Sequence, residues 1–195
     1  MTGWSRRSGR TTGLVVRAAE PADFGAVARL TVAAYRADGQ LDGEHGYEQV
    51  LADVPGRAGA GELLVAADGA TGELLGAVLF VLPGTPYAEL SGPGEAEFRM
   101  LAVDPRAQGR GAGRALVQAC LDRARALGCA RVVICARSFS TPAHRLYAGF
   151  GFVRTPDRDW SPMPGVDLIA LRLDLAPVLP WPAPADPTAG AVGRS

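Results

Sequence analysis

Three glycines separated by single residues lie between an apolar run and an amphipathic segment. Gly109, Gly111 and Gly113 follow the run that ends at Asp104-Pro105, and a helical apolar spacing begins after them. Glycines let backbone N–H groups approach a ligand closely, and the N-terminus of a helix favours negative charge. This pattern predicts a phosphate cradle and, with it, a phosphate-bearing cofactor.

The spacing disfavours two other kinds of phosphate site. A Walker-type loop places a lysine after its last glycine, whereas Arg114 follows Gly113 and all 20 basic residues of the chain are arginine. A dinucleotide fingerprint needs Gly-x-Gly-x-x-Gly/Ala, and counting from Gly109 or Gly111 puts Arg114 or Leu116 in the last place. The run from Gln108 instead fits Gln/Arg-x-x-Gly-x-Gly/Ala.

That motif resembles the pyrophosphate-binding motif with which the GNAT superfamily of N-acetyltransferases holds acetyl-CoA. By itself it is equally typical of a tight strand-to-helix turn. A second signature of the family lies downstream, where Ala143, Leu146, Tyr147, Gly151 and Phe152 match in order and spacing. The resemblance covers roughly residues 13–175.

The resemblance implies an α/β (α+β) fold with a mixed central sheet of about seven strands flanked by about four helices. Residues 1–12 are expected to be a flexible tail, 13–175 the acetyltransferase domain, and 176–195 a disordered tail rich in proline and alanine. The sequence patterns predict helices at about 21–35, 47–54, 111–127 and 141–148. They predict strands at 14–18, 62–67, 73–82, 97–103, 131–136, 152–154 and 166–174.

The family pattern also implies which residues hold the cofactor. The backbone of Leu101, Ala102 and Val103 would contact the pantetheine arm. The pyrophosphate would lie on the residues of the cradle: Gln108, Gly109, Arg110, Gly111, Ala112, Gly113 and Arg114. Ser140 occupies a position where the family often has an asparagine, so a side-chain contact to the cofactor there departs from the pattern.

The reaction implied is attack of a neutral amine on a thioester, which needs a base for the ammonium proton and an acid for the departing thiolate. Glu97 matches the family's glutamate base, although an ion pair with Arg99 or an exposed strand position is the alternative, and Glu89 and Glu95 are spare candidates. Tyr147 matches the general acid, although a tyrosine on an amphipathic helix can also be a packing residue. No ligand spacing for a metal is seen.

Composition limits the partners. Formal net charge is zero, so neither nucleic acid nor a membrane is expected as a partner. The three cysteines are interpreted as buried free thiols, and the chain as a cytoplasmic protein of a bacterium with a GC-rich genome. A homodimer is left open.

The predicted function is transfer of an acetyl group from acetyl-CoA to a primary amine of a small molecule, by direct attack in a ternary complex. Acetylation of a protein or peptide, or a non-catalytic acyl-CoA-binding module, are the alternatives. The loops at 35–47, 83–94 and 155–165 are expected to select the acceptor, since they contain acidic and aromatic residues.

Overall fold

The computed structural model describes residues 13–42 and 46–175. The two tails predicted from composition, 1–12 and 176–195, lie outside this range. The described chain forms one sheet of seven strands, with helices on both of its faces. The fold is therefore the mixed α/β arrangement predicted from the sequence. No helix in the described part of the chain is long and apolar enough to cross a membrane.

The strands lie in the order β1-β2-β3-β4-β5-β7-β6. They are β1 (Leu14–Ala18), β2 (Glu62–Asp68), β3 (Leu74–Val81), β4 (Glu95–Val103), β5 (Arg131–Arg137), β6 (Val153–Arg154) and β7 (Leu168–Asp174). All neighbouring pairs are antiparallel except β4 and β5, which run parallel. The central strands β2, β3 and β5 carry nearly continuous buried runs, as expected where helices cover both faces.

The helices are α1 (Phe24–Ala37), α2 (Tyr47–Ala52), α3 (Val54–Ala60), α4 (Ala112–Ala126) and α5 (Thr141–Ala148). Residues of α4 and α5 pack in one core layer with one face of the sheet. Residues of α1 and α3 pack in a second layer on the opposite face. Each face of β4 is therefore covered by a different pair of helices.

The prediction of one helix at 47–54 that stops at Pro55-Gly56 is wrong. The structure has two short helices here, and the second continues through the proline to Ala60. A proline in the first turn of a helix loses no hydrogen bond, because the amides of that turn have no helical acceptor. Asp53 begins α3 by accepting a hydrogen bond from the Gly56 N–H at 3.0 Å.

Strand β4 contains a bulge that changes which face its side chains point to. Ala77 of β3 lies opposite Ala102, whereas Leu79 lies opposite Arg99, so β4 holds one extra residue over this stretch. Met100 lies in the bulge with φ of 52°, a left-handed conformation that non-glycine residues rarely adopt.

Candidate active site

Beyond their first three residue pairs, the parallel strands β4 and β5 separate. Their pairing ends at Glu97 opposite Val133, although β4 continues to Val103 and β5 to Arg137. The backbone groups of β4 that face β5 after this point have no strand partner on that side within the described sheet. The separation makes a wedge that opens toward the carboxyl ends of both strands.

A cavity of about 60 Å³ lies in this wedge. Its lining includes Leu101, Ser140 and Tyr147, so the structure brings together three residues that the sequence predicted for the site. Phe98, Arg99 and Met100 of β4, Cys135, Ala136 and Arg137 of β5, Tyr35, Gln40 and Ala143 complete the lining. Ala102 and Val103 follow Leu101 along the same strand, where a pantetheine arm could bond to the unpaired edge of β4.

The glycine cradle lies at the end of β4 and at the start of α4. Gly109 and Gly111 have φ of 77° and 85°, a region that glycine adopts without strain. Gly111 is the N-cap residue of α4, and a glycine has no side chain that could bond the first amides of this helix. A Cβ on Gly113 would lie 3.3 Å from Val103 and 3.4 Å from Leu146, so the chain is closely packed there.

The arginines of the cradle differ in their partners. Arg110 forms an ion pair with Asp68 at the β2–β3 turn, and Arg106 forms one with Asp104 at 2.7 Å. Arg114 lies in the first turn of α4, and its guanidinium is 4.8 Å from the centre of the Phe150 ring. Uncapped amides, two left-handed glycines and a basic first turn fit an anionic pyrophosphate. Gln108 and Ala112 were also predicted to contact the pyrophosphate. Gln108 is exposed and Ala112 is buried.

Tyr147 is buried between the two strands and the aromatic core. Its ring centre lies 5.9 Å from that of Phe98 and 5.8 Å from that of Phe152. Burial raises the pKa of the Tyr147 phenol above its ordinary value of about 10, so the phenol keeps its proton at neutral pH. A protonated phenol on the wall of the wedge has the chemistry of a proton donor.

Ser140 lies directly before α5 and is buried, but its hydroxyl is engaged elsewhere. It donates a hydrogen bond to Asp38 at 2.8 Å, and Gln40 donates to the same carboxylate oxygen at 2.7 Å. These bonds join α5 to the segment that follows α1. Contact between Ser140 and a cofactor stays a prediction. In the structure the Ser140 side chain holds the start of α5 against the segment that follows α1.

Glu97 is 0% exposed and holds the loop that precedes β4. Its Oε2 accepts hydrogen bonds from the backbone N–H groups of Glu89, Leu90 and Ser91 at 2.9 to 3.1 Å. Its Oε1 lies 3.8 Å from Nε of Arg99 and has no hydrogen-bond partner. The carboxylate therefore orders a loop, and its role as base stays a prediction.

Glu89, named from the sequence only as a spare candidate, is more accessible. Its side chain is 29% exposed, and its Oε1 lies 2.6 Å from Nη1 of Arg99, which lines the wedge. Burial raises the pKa of Glu89, and attraction by Arg99 opposes this rise only in part. Arg99 also donates to the carbonyl of Tyr87 at 3.0 Å. The structure thus adds Arg99 and the Tyr87 carbonyl to the site, whereas the sequence named Arg99 only as an ion-pair partner for Glu97.

The remaining predicted candidate, Glu95, lies at the closed end of the wedge. It accepts bonds from Arg158, at 3.0 Å, and from the N–H of Gly92, at 2.9 Å. A second and larger cavity, of about 550 Å³, lies between α1 and the end of β4 and includes none of the predicted catalytic residues. The wedge is the better candidate because it alone joins the unpaired strand edge to Tyr147. No group of acidic, histidine and cysteine residues in the described ranges could hold a metal ion.

A split parallel pair that ends in a glycine cradle is the architecture of an acyl-CoA-dependent transferase. The family model for the acetyltransferase (GNAT) family matches residues 28–152, and the chain belongs to this family of N-acetyltransferases. A GCN5-related N-acetyltransferase from Kribbella flavida is 27% identical, with 84% of this chain and 98% of that chain covered and a TM-score of 0.60.

Two further proteins extend the comparison. The structure of yncA from Salmonella typhimurium, solved with its cofactor acetyl-CoA, is 22% identical, covers 84% of this chain and 95% of its own, and has a TM-score of 0.59. At 22% identity the similarity shows only that the two proteins share a fold. The mycothiol acetyltransferase of Saccharopolyspora erythraea is 36% identical over 73 residues, which are 37% of this chain. The match spans only 24% of that relative's length.

Proposed function

We propose that the protein transfers an acetyl group from acetyl-CoA to a primary amine of a small molecule, by direct attack in a ternary complex. The observation that carries this proposal is the continuity of the wedge with the cradle: an unpaired strand edge runs into uncapped helix amides, with a protonated phenol on its wall. The solved relative with acetyl-CoA and the family membership support the same cosubstrate.

The residues present fit that cosubstrate. The cradle from Gln108 to Arg114 would hold the pyrophosphate through backbone amides and the charge of Arg114. The β5-facing edge of Leu101 to Val103 would hold the pantetheine arm by main-chain hydrogen bonds. When bound, acetyl-CoA supplies the activated thioester and a thiolate leaving group.

The chain's own residues then move the protons. Tyr147 holds a proton on its Oη at neutral pH and can donate it to a sulfur that departs in the wedge. The amine must lose a proton before it attacks, since an ordinary ammonium has a pKa of about 10.

The geometry favours Glu89 over Glu97 as the base that removes this proton. Glu97 is fully buried and three amides engage one of its oxygens, whereas Glu89 is partly exposed beside a residue of the wedge. The raised pKa of Glu89 also makes it a better proton acceptor than an ordinary carboxylate. Glu97 then acts as a positioning residue, because its hydrogen bonds hold the loop that carries Glu89.

The small-molecule assignment rests on the closed acceptor side. The loop at 83–94 is tied down at Glu97, at Arg99 and at Arg158, which also donates to the carbonyl of Leu90. A loop that is held at three points and joined to Arg99 of a small cavity suits a compact acceptor better than a peptide chain, which needs an open groove.

The test is acetyl-CoA turnover, followed by mass spectrometry, against polyamines, amino acids, aminoglycosides and short peptides. Binding of acetyl-CoA is measured by calorimetry in the same samples. We expect a mass gain of one acetyl group on a small amine. A gain only on peptides would replace the small-molecule acceptor by a peptide, and binding without any transfer would leave a non-catalytic acyl-CoA-binding module.

A further inference from the structure

The first residues of the described chain lie beside the glycine cradle. The carbonyl of Gly13 accepts a hydrogen bond from the N–H of Gly69 at the β2–β3 turn. Leu14 follows as the first residue of β1, and a Cβ on Gly111 would lie 3.8 Å from its Cδ1. Since Gly111 is the N-cap residue of α4, residues 1–12 join the described chain next to the proposed pyrophosphate site.

An ion pair connects the same corner of the sheet to the cradle. Leu14 lies opposite Asp68 in the β1–β2 register, and Asp68 pairs with Arg110. The carboxylate of Asp68 also accepts hydrogen bonds from the N–H groups of Ala70 and Thr71, at 2.9 and 3.1 Å. This carboxylate is therefore occupied, and it holds the cradle against the turn that borders the start of β1.

The described part of the cradle supplies little free positive charge for the ligand proposed there. The pyrophosphate and the 3′-phosphate of coenzyme A together carry a charge of about −4 at neutral pH, since a phosphate monoester loses its second proton at a pKa of about 6. Arg106 and Arg110 are paired with carboxylates. Among the described arginines of the cradle, only Arg114 has no carboxylate partner. The start of α4 adds about half a charge, so much of the ligand's charge is left unbalanced.

Residues 1–12, called the N-terminal segment from here on, are strongly basic. They contain Arg6, Arg7 and Arg10 and no acidic residue, although the whole chain has a formal net charge of zero. A chain spans at most about 3.6 Å per residue, so the α-carbon of Arg10 lies within about 11 Å of that of Gly13, and all three arginines lie within about 25 Å of it. The excess of positive charge is thus tethered to the one corner of the sheet that adjoins the cradle.

We propose that the arginines of the N-terminal segment bind the phosphates of acetyl-CoA and complete a cofactor site of which the glycine cradle is the other part. A guanidinium offers a fork of N–H donors that matches two phosphate oxygens. Because the cradle amides already serve the pyrophosphate, the 3′-phosphate is the main partner of the segment. The inference rests on the proposed use of acetyl-CoA, and it adds residues to the site that holds this cosubstrate.

The first experiment measures the Kd for acetyl-CoA by calorimetry on the full chain. In a triple variant, Arg6, Arg7 and Arg10 are each changed to Gln. We expect its Kd to be about 10-fold above that of the wild type at low salt, and within about 2-fold of it in 1 M NaCl, because salt screens charges over about 3 Å at that concentration. The kcat at saturating acetyl-CoA should not change, since the loss concerns binding and not the transition state.

A matched control removes the same charge at three exposed positions away from the cradle. The control variant changes three arginines of α4, β5 and β6 to Gln: Arg125, Arg131 and Arg154. Its Kd for acetyl-CoA should stay within about 2-fold of the wild type, because charges beyond a Debye length are screened. The Tm is measured for each protein, so that a change in folding is separated from a change in binding.

The second experiment repeats the calorimetry with 3′-dephospho-acetyl-CoA, which keeps the pyrophosphate and lacks the 3′-phosphate. The difference in Kd between the triple variant and the wild type should shrink to within about 3-fold, because the charge-assisted hydrogen bonds to the 3′-phosphate are absent from both. An equal difference with the two compounds would support the same role of the segment at the pyrophosphate.

The outcomes separate this inference from the proposed function. A Kd for acetyl-CoA that is unchanged in the triple variant, or an equal loss in the control variant, overturns the role of the N-terminal segment and leaves acetyl transfer intact. Failure of the wild-type protein to bind acetyl-CoA overturns the proposed function itself.

Discussion

The cofactor side and the acceptor side of the wedge are built in different ways. On the cofactor side one continuous segment, 101–114, supplies the strand edge, the glycines and the helix start. On the acceptor side Tyr35, Glu89 and Arg99 come from three separate parts of the chain. The first side presents backbone groups, and the second presents side chains that are partly buried.

This difference explains why the two sides respond differently to mutation. Backbone amides remain when a side chain changes, so single substitutions in the cradle should weaken binding only moderately. A buried charged side chain has no substitute, so its loss should change the chemistry or the choice of acceptor. The predictions below test this contrast, beginning with the largest effect expected.

Tyr147→Phe should lower kcat by about 1000-fold, within the range for loss of a general acid. The ring contacts with Phe98 and Phe152 remain, so stability and the Kd for acetyl-CoA should stay unchanged. Because the pKa of Tyr147 is raised, the wild-type rate should show no loss from its ionisation up to about pH 10. Steady-state kinetics across pH with calorimetry measure both. A kcat equal to wild type would make Tyr147 a packing residue.

Glu89→Gln should lower kcat/KM by about 100-fold, because it removes the base. Glu97→Gln is the matched variant and should cost only a few-fold, since its amide oxygen can still accept the loop N–H bonds. In the wild type, the rate should fall as pH drops through the raised pKa of Glu89, above the ordinary value of about 4.3. A larger loss of kcat/KM in Glu97→Gln than in Glu89→Gln would identify Glu97 as the base instead.

Arg114→Glu should raise the Kd for acetyl-CoA by about 10-fold, since a carboxylate in the first turn repels the pyrophosphate. The same substitution should not destabilise α4, because acidic residues suit a helix start. Arg125→Glu makes the same charge change in the last turn and should leave the Kd unchanged. Calorimetry and thermal unfolding compare them. Equal Kd values for both variants would show that the pyrophosphate does not bind at the N-terminus of α4.

Glu95→Gln should lower the free energy of unfolding by about 2 kcal/mol at pH 7 and leave kcat within about 2-fold. Burial raises the pKa of Glu95, but bonds from Arg158 and the Gly92 N–H outweigh it, so the pKa is lowered. A lowered pKa stabilises the fold above the ordinary value of about 4.3 and loses this effect as pH falls through the folded value. Denaturant unfolding at several pH values should therefore show the gap between variant and wild type closing in acid.

The contrast between the two sides also decides what could be read from the sequence. The cradle, the strand before it and Tyr147 were predicted because each lies in a local pattern of fixed spacing. Helix α3 was missed because Pro55-Gly56 usually ends a helix, whereas here Asp53 caps a new one. The sequence indicated Arg99 only as a partner of Glu97, and its ion pair with Glu89 was missed because that pair joins a strand to the loop before it. The hydrogen bonds from the loop to Glu97 were equally hidden, because they depend on how 89–91 folds back.

The bulge at Met100 decides which face of the sheet each later side chain of β4 points to. Before it Ala96 and Phe98 join the layer of α4, and after it Leu101 and Val103 do so, while Ala102 joins the opposite layer. Without the extra residue, every later side chain would change faces, and apolar groups meant for one layer would enter the other. Insertions and deletions between 97 and 103 should therefore be rejected in any relative that keeps both core layers, because a change of one residue there exchanges the two faces of the strand that is proposed to hold the cofactor.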